Sequence, residues 1–137
     1  MRKTLDDRDR QLLEAPNFCH VATLRADGSP HVVPVWVHVE GDRVVMNSAE
    51  GRVWPSNLDR DPRATLTIPN WSNPYEYLTI RGHLAEKTTE GADEHIDFLA
   101  KKYLGVDEYP ARQAGEVRVK IYVEPDGIHR HGTTDET

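Results

Sequence analysis

Val33, Val35, Val37 and Val39 alternate along one short stretch of this chain. A period of two puts them on one face of an extended strand, which we place at His31 to Val39. The other face carries Val32, Pro34 and Trp36. A strand that is apolar on both faces has to be covered on both faces. The core is one cover; a ligand or a second subunit is the other. Pro34 narrows the choice further. Proline has no N–H for a sheet ladder, so it belongs at an edge, a bulge or a split. A barrel that splits beside Pro34 leaves backbone groups free, and a flat heterocycle with donors and acceptors on its rim can pair with them.

The flanking segments fit an antiparallel meander. Phe18 to Leu24 reads as a strand, Ala26-Asp27-Gly28-Ser29 as a hairpin turn, Glu40-Gly41-Asp42 as another, and Arg43 to Ser48 as the third strand. Ala64 to Ile68, Glu76 to Glu86 and Val117 to Val123 add three more, with Pro69 to Pro74 as a loop between the first two. Leu66 and Ile68, Leu78 and Ile80, and Val119, Ile121 and Val123 repeat the one-faced stripe. Six antiparallel strands of this kind predict a sheet closed into a small barrel, which also removes its edges.

Two helices flank the strands. Thr4 is the capping candidate of a short first helix whose Leu5, Leu12 and Leu13 share a face, and Pro16 ends it. Glu90 to Leu104 is the longer one. Acids fill its first turn, Lys101 and Lys102 its last, and Gly105 is placed to cap it. From about His131 the chain is polar and is expected to fray.

At 137 residues the chain is one domain, residues 1–137, and its 37% apolar content gives a modest core or one shared with another chain. The net charge of −6 speaks against a nucleic-acid partner. Cys19 is the sole cysteine, so no internal disulfide forms, as suits a reducing cytoplasm. No stretch approaches the ~20 apolar residues of a membrane span. No partner in a membrane is therefore expected.

A third helix, of about two turns, follows the third strand. The segment Asn47-Ser48-Ala49-Glu50-Gly51-Arg52-Val53-Trp54-Pro55-Ser56-Asn57 runs from a strand through a Gly-Arg corner into this helix, and Asp61-Pro62 stops it. Hydroxyl, amide and guanidinium donors gather round a helix N-terminus, where free N–H groups and the helix dipole favour an anion. Arg52 is the strongest candidate for a phosphate ligand; Ser48 and Asn57 also serve as ordinary caps. Trp71, Tyr75 and Tyr77 suit an interface, a pocket wall or a loop anchor. The seven histidines show no metal-ligand spacing; His129 and His131 share a face but have no further partner in the pattern, so no metal is expected. No nucleophile elbow, Walker A or dinucleotide glycine motif occurs, and no catalytic residue can be named.

Ser29-Pro30-His31-Val32-Val33-Pro34-Val35-Trp36, Asn47-Ser48-Ala49-Glu50-Gly51-Arg52 and Asn57-Leu58-Asp59-Arg60-Asp61-Pro62-Arg63 resemble the flavin/deazaflavin oxidoreductases, the pyridoxamine 5′-phosphate oxidase-like split barrels. Asn73-Pro74-Tyr75-Glu76-Tyr77 and Lys101-Lys102-Tyr103-Leu104-Gly105 resemble the actinobacterial branch that uses the deazaflavin coenzyme F420. The resemblance spans roughly residues 10 to 128. It implies a mainly β protein with flanking helices, a six-stranded antiparallel split β-barrel of the FMN-binding type, acting as a homodimer on a small-molecule substrate. The cofactor would be F420, with FMN as the alternative. Its phosphate would lie against Ser48, Arg52 and Asn57 and its ring along Pro34, Val35 and Trp36, with Asn47 and Trp54 also among the cofactor-binding residues. Many relatives carry a lysine where this chain has Trp54, so the load there shifts to Arg52, Arg60 or the partner chain. The activity implied is hydride transfer between F420 and an organic acceptor. An FMN-dependent oxidase or reductase, or a non-enzymatic cofactor- or haem-binding barrel, are the other readings of the same fold.

Overall fold

The structure, a computed structural model, describes residues 2–132. Three helices and seven strands follow one another in the chain: α1 (Asp7–Glu14), β1 (Cys19–Leu24), β2 (Pro30–Val35), β3 (Val37–Glu40), β4 (Arg43–Ala49), α2 (Val53–Arg60), β5 (Arg63–Asn70), β6 (Asn73–Thr88), α3 (Ala92–Leu104) and β7 (Arg118–His131). The strands form one antiparallel sheet in the order β2-β1-β5-β6-β7-β4-β3. Seven strands stand where six were expected, because the strand over His31 to Val39 is broken at Trp36.

That break shapes the molecule. β2 and β3 are consecutive in the chain yet lie at opposite edges of the sheet. Only Trp36 separates Val35 from Val37, a reach of about 7 Å at most. The sheet therefore has to curl until its two edges meet, and the unpaired seam between them is the split. Side-chain parity survives the break: Val37 is buried, and Val33, Val35 and Val39 pack against the same core.

The core fills the curl with Val21, Met46, Leu66, Ile80 and Ile121, all fully buried, and α1 closes it with Leu12 and Leu13. Each such side chain contributes roughly 1.5–3 kcal/mol by leaving water. The cap of α1 is Asp6, not Thr4. Asp6 accepts from the Asp9 amide while the Asp9 carboxylate accepts from the Asp6 amide, a reciprocal box. Asp9 is fully buried and is held by Arg2 at 2.6 Å and Arg130 at 2.7 Å.

The last turn of α3 seals the seam. The Tyr103 hydroxyl accepts from the Val37 amide at 3.1 Å and donates to the Asn17 carbonyl at 2.6 Å. Lys102 donates to the carbonyls of Leu13 at 2.7 Å and Val37 at 2.6 Å, so the C-terminal end of α1 and the start of β3 are tied to one ammonium. Burial lowers the pKa of that amine to about 8.

Two further boundaries differ from expectation. The Pro69 to Pro74 loop is a tight turn at Trp71-Ser72 between extended strands, with Asn70 paired to Asn73. β7 runs on past Val123 through Pro125. Gly82 pairs with Pro125 and Arg81 with Gly127, so Asp126 is the extra residue of a bulge that accommodates the proline. Gly82 is required there: a Cβ would stand 2.5 Å from the Glu124 carbonyl oxygen. Of the expected polar tail, His131 ends β7 and stacks on Tyr77, and residues 133–137 lie outside the described residues. Among the described residues no helix is long and apolar enough to cross a membrane.

Candidate functional site

The seam opens into a cleft of about 420 Å³. Its walls come from β2, the start of α2, the inner side of α3 and the Tyr109 loop. Val33, Val35, Trp54, Ile96 and Leu99 make it apolar, and Asn47, Ser48, Arg52 and Arg118 supply polar groups. Of the residues expected to form a site, Pro34, Val35, Trp36, Asn47, Ser48, Arg52 and Trp54 all line this one cleft. Asn57 is not on its wall. It is buried, donates to Thr23 Oγ1 at 3.1 Å and accepts from Arg60 at 3.0 Å. Arg60 is engaged there and at the Leu24 carbonyl, and it too is absent from the cleft wall.

The corner has the geometry its sequence called for. Gly51 takes φ +89°, which turns the chain from β4 into α2, and Arg52 is the N-cap residue of α2 with no side-chain cap bond. The guanidinium is thus left for other contacts. The first backbone amides of the helix, Val53 and Trp54, have no intrahelical acceptor, and Pro55 has no N–H. Trp54 packs into the core and also shows a surface to the cleft.

Trp36 stacks on Tyr103 with ring centroids 5.3 Å apart and 7° between planes, and Tyr109 meets its edge at 5.9 Å. Tyr109 is fixed by its amide, which donates to Asp97 of α3 at 2.9 Å. Arg112 reinforces that loop by pairing with Asp97 at 2.7 Å and Asp93 at 3.1 Å. The result is an aromatic corner, with Trp36 and Tyr109 84° apart in plane, braced by α3.

The sequence reading missed Arg118, the first residue of β7. Its side chain is only 4% exposed. It donates to Asn47 Oδ1 at 2.9 Å, pairs with Glu116 at 2.9 Å and lies 5.1 Å from the Tyr109 ring centroid. Glu116 also pairs with Arg52 at 3.3 Å. Two guanidiniums therefore face the cleft and share one carboxylate. His31, also missed, lines the cleft from β2, and its Nδ1 is buried with no hydrogen-bond partner. Buried polar atoms are normally paired, so this one is available to a ligand. The cleft offers paired cations, free helix amides, an orphaned imidazole nitrogen and flat apolar walls. A planar, phosphate-bearing molecule fits that donor set; a metal does not, and no cluster of three or more metal-ligating side chains exists among the described residues. Cys19 is fully buried, and burial raises its pKa, so it is an inert core residue.

Comparisons agree with this geometry. A profile of the family described as Pyridoxamine 5'-phosphate oxidase matches residues 5–129. A solved structure named F420 Reductase superposes with a TM-score of 0.79 at 29% identity, covering 90% of this chain and 98% of its own. A conserved hypothetical protein of Mycobacterium tuberculosis gives 0.70 at 16% identity over 96% and 88% of the two chains. HupZ of Group A Streptococcus gives 0.65 at 18% over 92% and 93%. The last two show likeness of fold alone. No curated protein sequence matches the chain.

Proposed function

The chain belongs to the pyridoxamine 5'-phosphate oxidase family, and from that membership and the cleft we propose that it is an oxidoreductase that uses the deazaflavin coenzyme F420 to move a hydride to an organic acceptor. The carrying observation is the pair of cleft-facing guanidiniums, Arg52 and Arg118, at the polar end of a flat apolar cleft. When bound, the cofactor supplies the hydride-carrying carbon; the protein supplies binding, orientation and exclusion of water.

Each residue then has a definite task. Arg52, the Val53 and Trp54 amides and Arg118 take the phosphate, and Ser48 and Asn47 border it. Arg118 supplies a second cation beside Arg52. Pro34, Val35 and Trp36 lie along the ring, where the seam leaves sheet-edge groups unpaired. His31 Nδ1 meets a polar atom on the rim of the ring or of the substrate. The aromatic corner of Trp36 and Tyr109 keeps water from the reacting face. The homodimer and the small-molecule acceptor belong to the same reading. The similarity to an F420 reductase favours the deazaflavin over FMN.

Side-by-side titration of the purified protein with F420 and FMN tests it. F420 is expected to bind more tightly. Tighter binding of FMN, or a protein that purifies yellow, moves the assignment to a flavin enzyme on the same fold.

A further inference from the structure

We propose that the Arg52–Glu116–Arg118 array selects its anion by charge, taking a singly charged phosphodiester in preference to a doubly charged phosphomonoester. This rests on the reading that the phosphate lies at these arginines.

The geometry is that of a carboxylate placed behind two cations. Arg52 reaches Glu116 Oε2 at 3.3 Å and Arg118 reaches Glu116 Oε1 at 2.9 Å, so each oxygen serves a different guanidinium. Both arginines are on the cleft wall and Glu116 is not. Glu116 is 7% exposed and Arg118 4%, so water screens their charges poorly. Two guanidiniums and one carboxylate leave a net charge of +1, and the other Arg118 contacts are uncharged, a hydrogen bond to the amide of Asn47 and the face of the Tyr109 ring. One negative charge on the ligand balances the array. A second would face the Glu116 carboxylate with no further lysine or arginine among the described residues of the cleft wall to meet it. Trp54 adds no charge at the start of α2, and Pro55 removes one helix amide. A phosphomonoester carries about −1.5 to −2 at neutral pH, whereas a diester cannot exceed one charge. F420 holds its phosphate as a diester and FMN ends in a monoester, so the array gives a residue-level reason for the first.

Three ligands with one deazaflavin ring isolate the charge: the phosphate-free ribityl form, its 5′-phosphomonoester and its 5′-methyl phosphodiester. Fluorescence titration of the full chain is expected to show the diester bound more tightly than the monoester, and both more tightly than the phosphate-free form. In Glu116→Gln the monoester gains about tenfold relative to the diester. Glu116→Asp, which keeps the charge, keeps the wild-type ratio. In the wild type alone, monoester affinity falls as pH rises from 5 to 8 through the second phosphate ionisation near 6. Diester affinity over the same range is the control for any change in the protein. Equal or tighter binding of the monoester, an unchanged ratio in Glu116→Gln, or parallel pH profiles overturn charge selection while leaving the phosphate at the arginines. Equal binding of all three ligands overturns that placement as well.

Discussion

Arg118 donates from Nε to the side-chain oxygen of Asn47 at 2.9 Å, and this bond sets the protonation of a buried histidine of α3. With its oxygen turned to Arg118, Asn47 presents its amide nitrogen to the Ala92 carbonyl at 2.9 Å and to His95 Nδ1 at 3.0 Å. His95 Nδ1 is therefore an acceptor, and the neutral ring carries its proton on Nε2.

Burial lowers the His95 pKa to about 4, helped by Lys120, His38 and Arg118 and opposed by Glu40. The unfolded chain, with an ordinary histidine pKa near 6.5, takes up the proton first. The stabilisation is complete above about pH 6.5 and is lost as pH falls toward 4. Urea midpoints are expected to drop between pH 7 and 5, with a slope of up to about 1.4 kcal/mol per pH unit from this group. His38, whose pKa is also lowered by burial, acts in the same direction. His95→Gln should flatten the profile in that window. An unchanged slope contradicts the tautomer argument.

Tyr103→Phe isolates the seam. The ring and its stack on Trp36 remain, but the Val37 amide loses its partner. A loss of about 1–3 kcal/mol in urea unfolding is expected. A stability equal to wild type would show that the seam does not depend on this hydroxyl.

The valine alternation carried the fold well, and it also hid the one break. Parity runs on through Trp36 because both halves face the same core, while the hydrogen-bonding partner changes from β1 to β4. Nothing in a two-residue period reports which strand lies alongside. Pro125 hid the second half of β7 in the same way, since a bulge is a pairing event. At the site, the Gly51–Arg52 corner was legible because local chemistry makes it. Arg118 was not. Alternation places it opposite Val119, on a face expected to meet solvent, and α3 covers that face. Its one visible sign was Asn47, a polar side chain directly after the apolar run Val44-Val45-Met46.

Exposed apolar side chains make an association prediction. Val32 on β2 is 60% exposed, Trp71 in the β5–β6 turn 73% and Tyr75 on β6 84%, large apolar groups for one chain to leave in water. Light scattering at low micromolar concentration is expected to give twice the 15.6 kDa of one chain. A stable folded monomer counts against a shared site.

Arg52→Ala tests the central placement most directly. The side chain is half exposed and its pairing with Glu116 is long at 3.3 Å, so its loss should leave unfolding midpoints nearly unchanged. If it holds the cofactor phosphate, removing a charge-assisted bond lowers affinity by about 1.5–3 kcal/mol, or roughly ten- to a hundredfold. Arg52→Lys restores only part, because an ammonium lacks the planar fork. The measurement is the dissociation constant for F420 by fluorescence titration at low salt, wild type beside Arg52→Ala. A tenfold or greater weakening is the predicted result; an alanine variant that binds F420 as tightly as wild type would contradict the account.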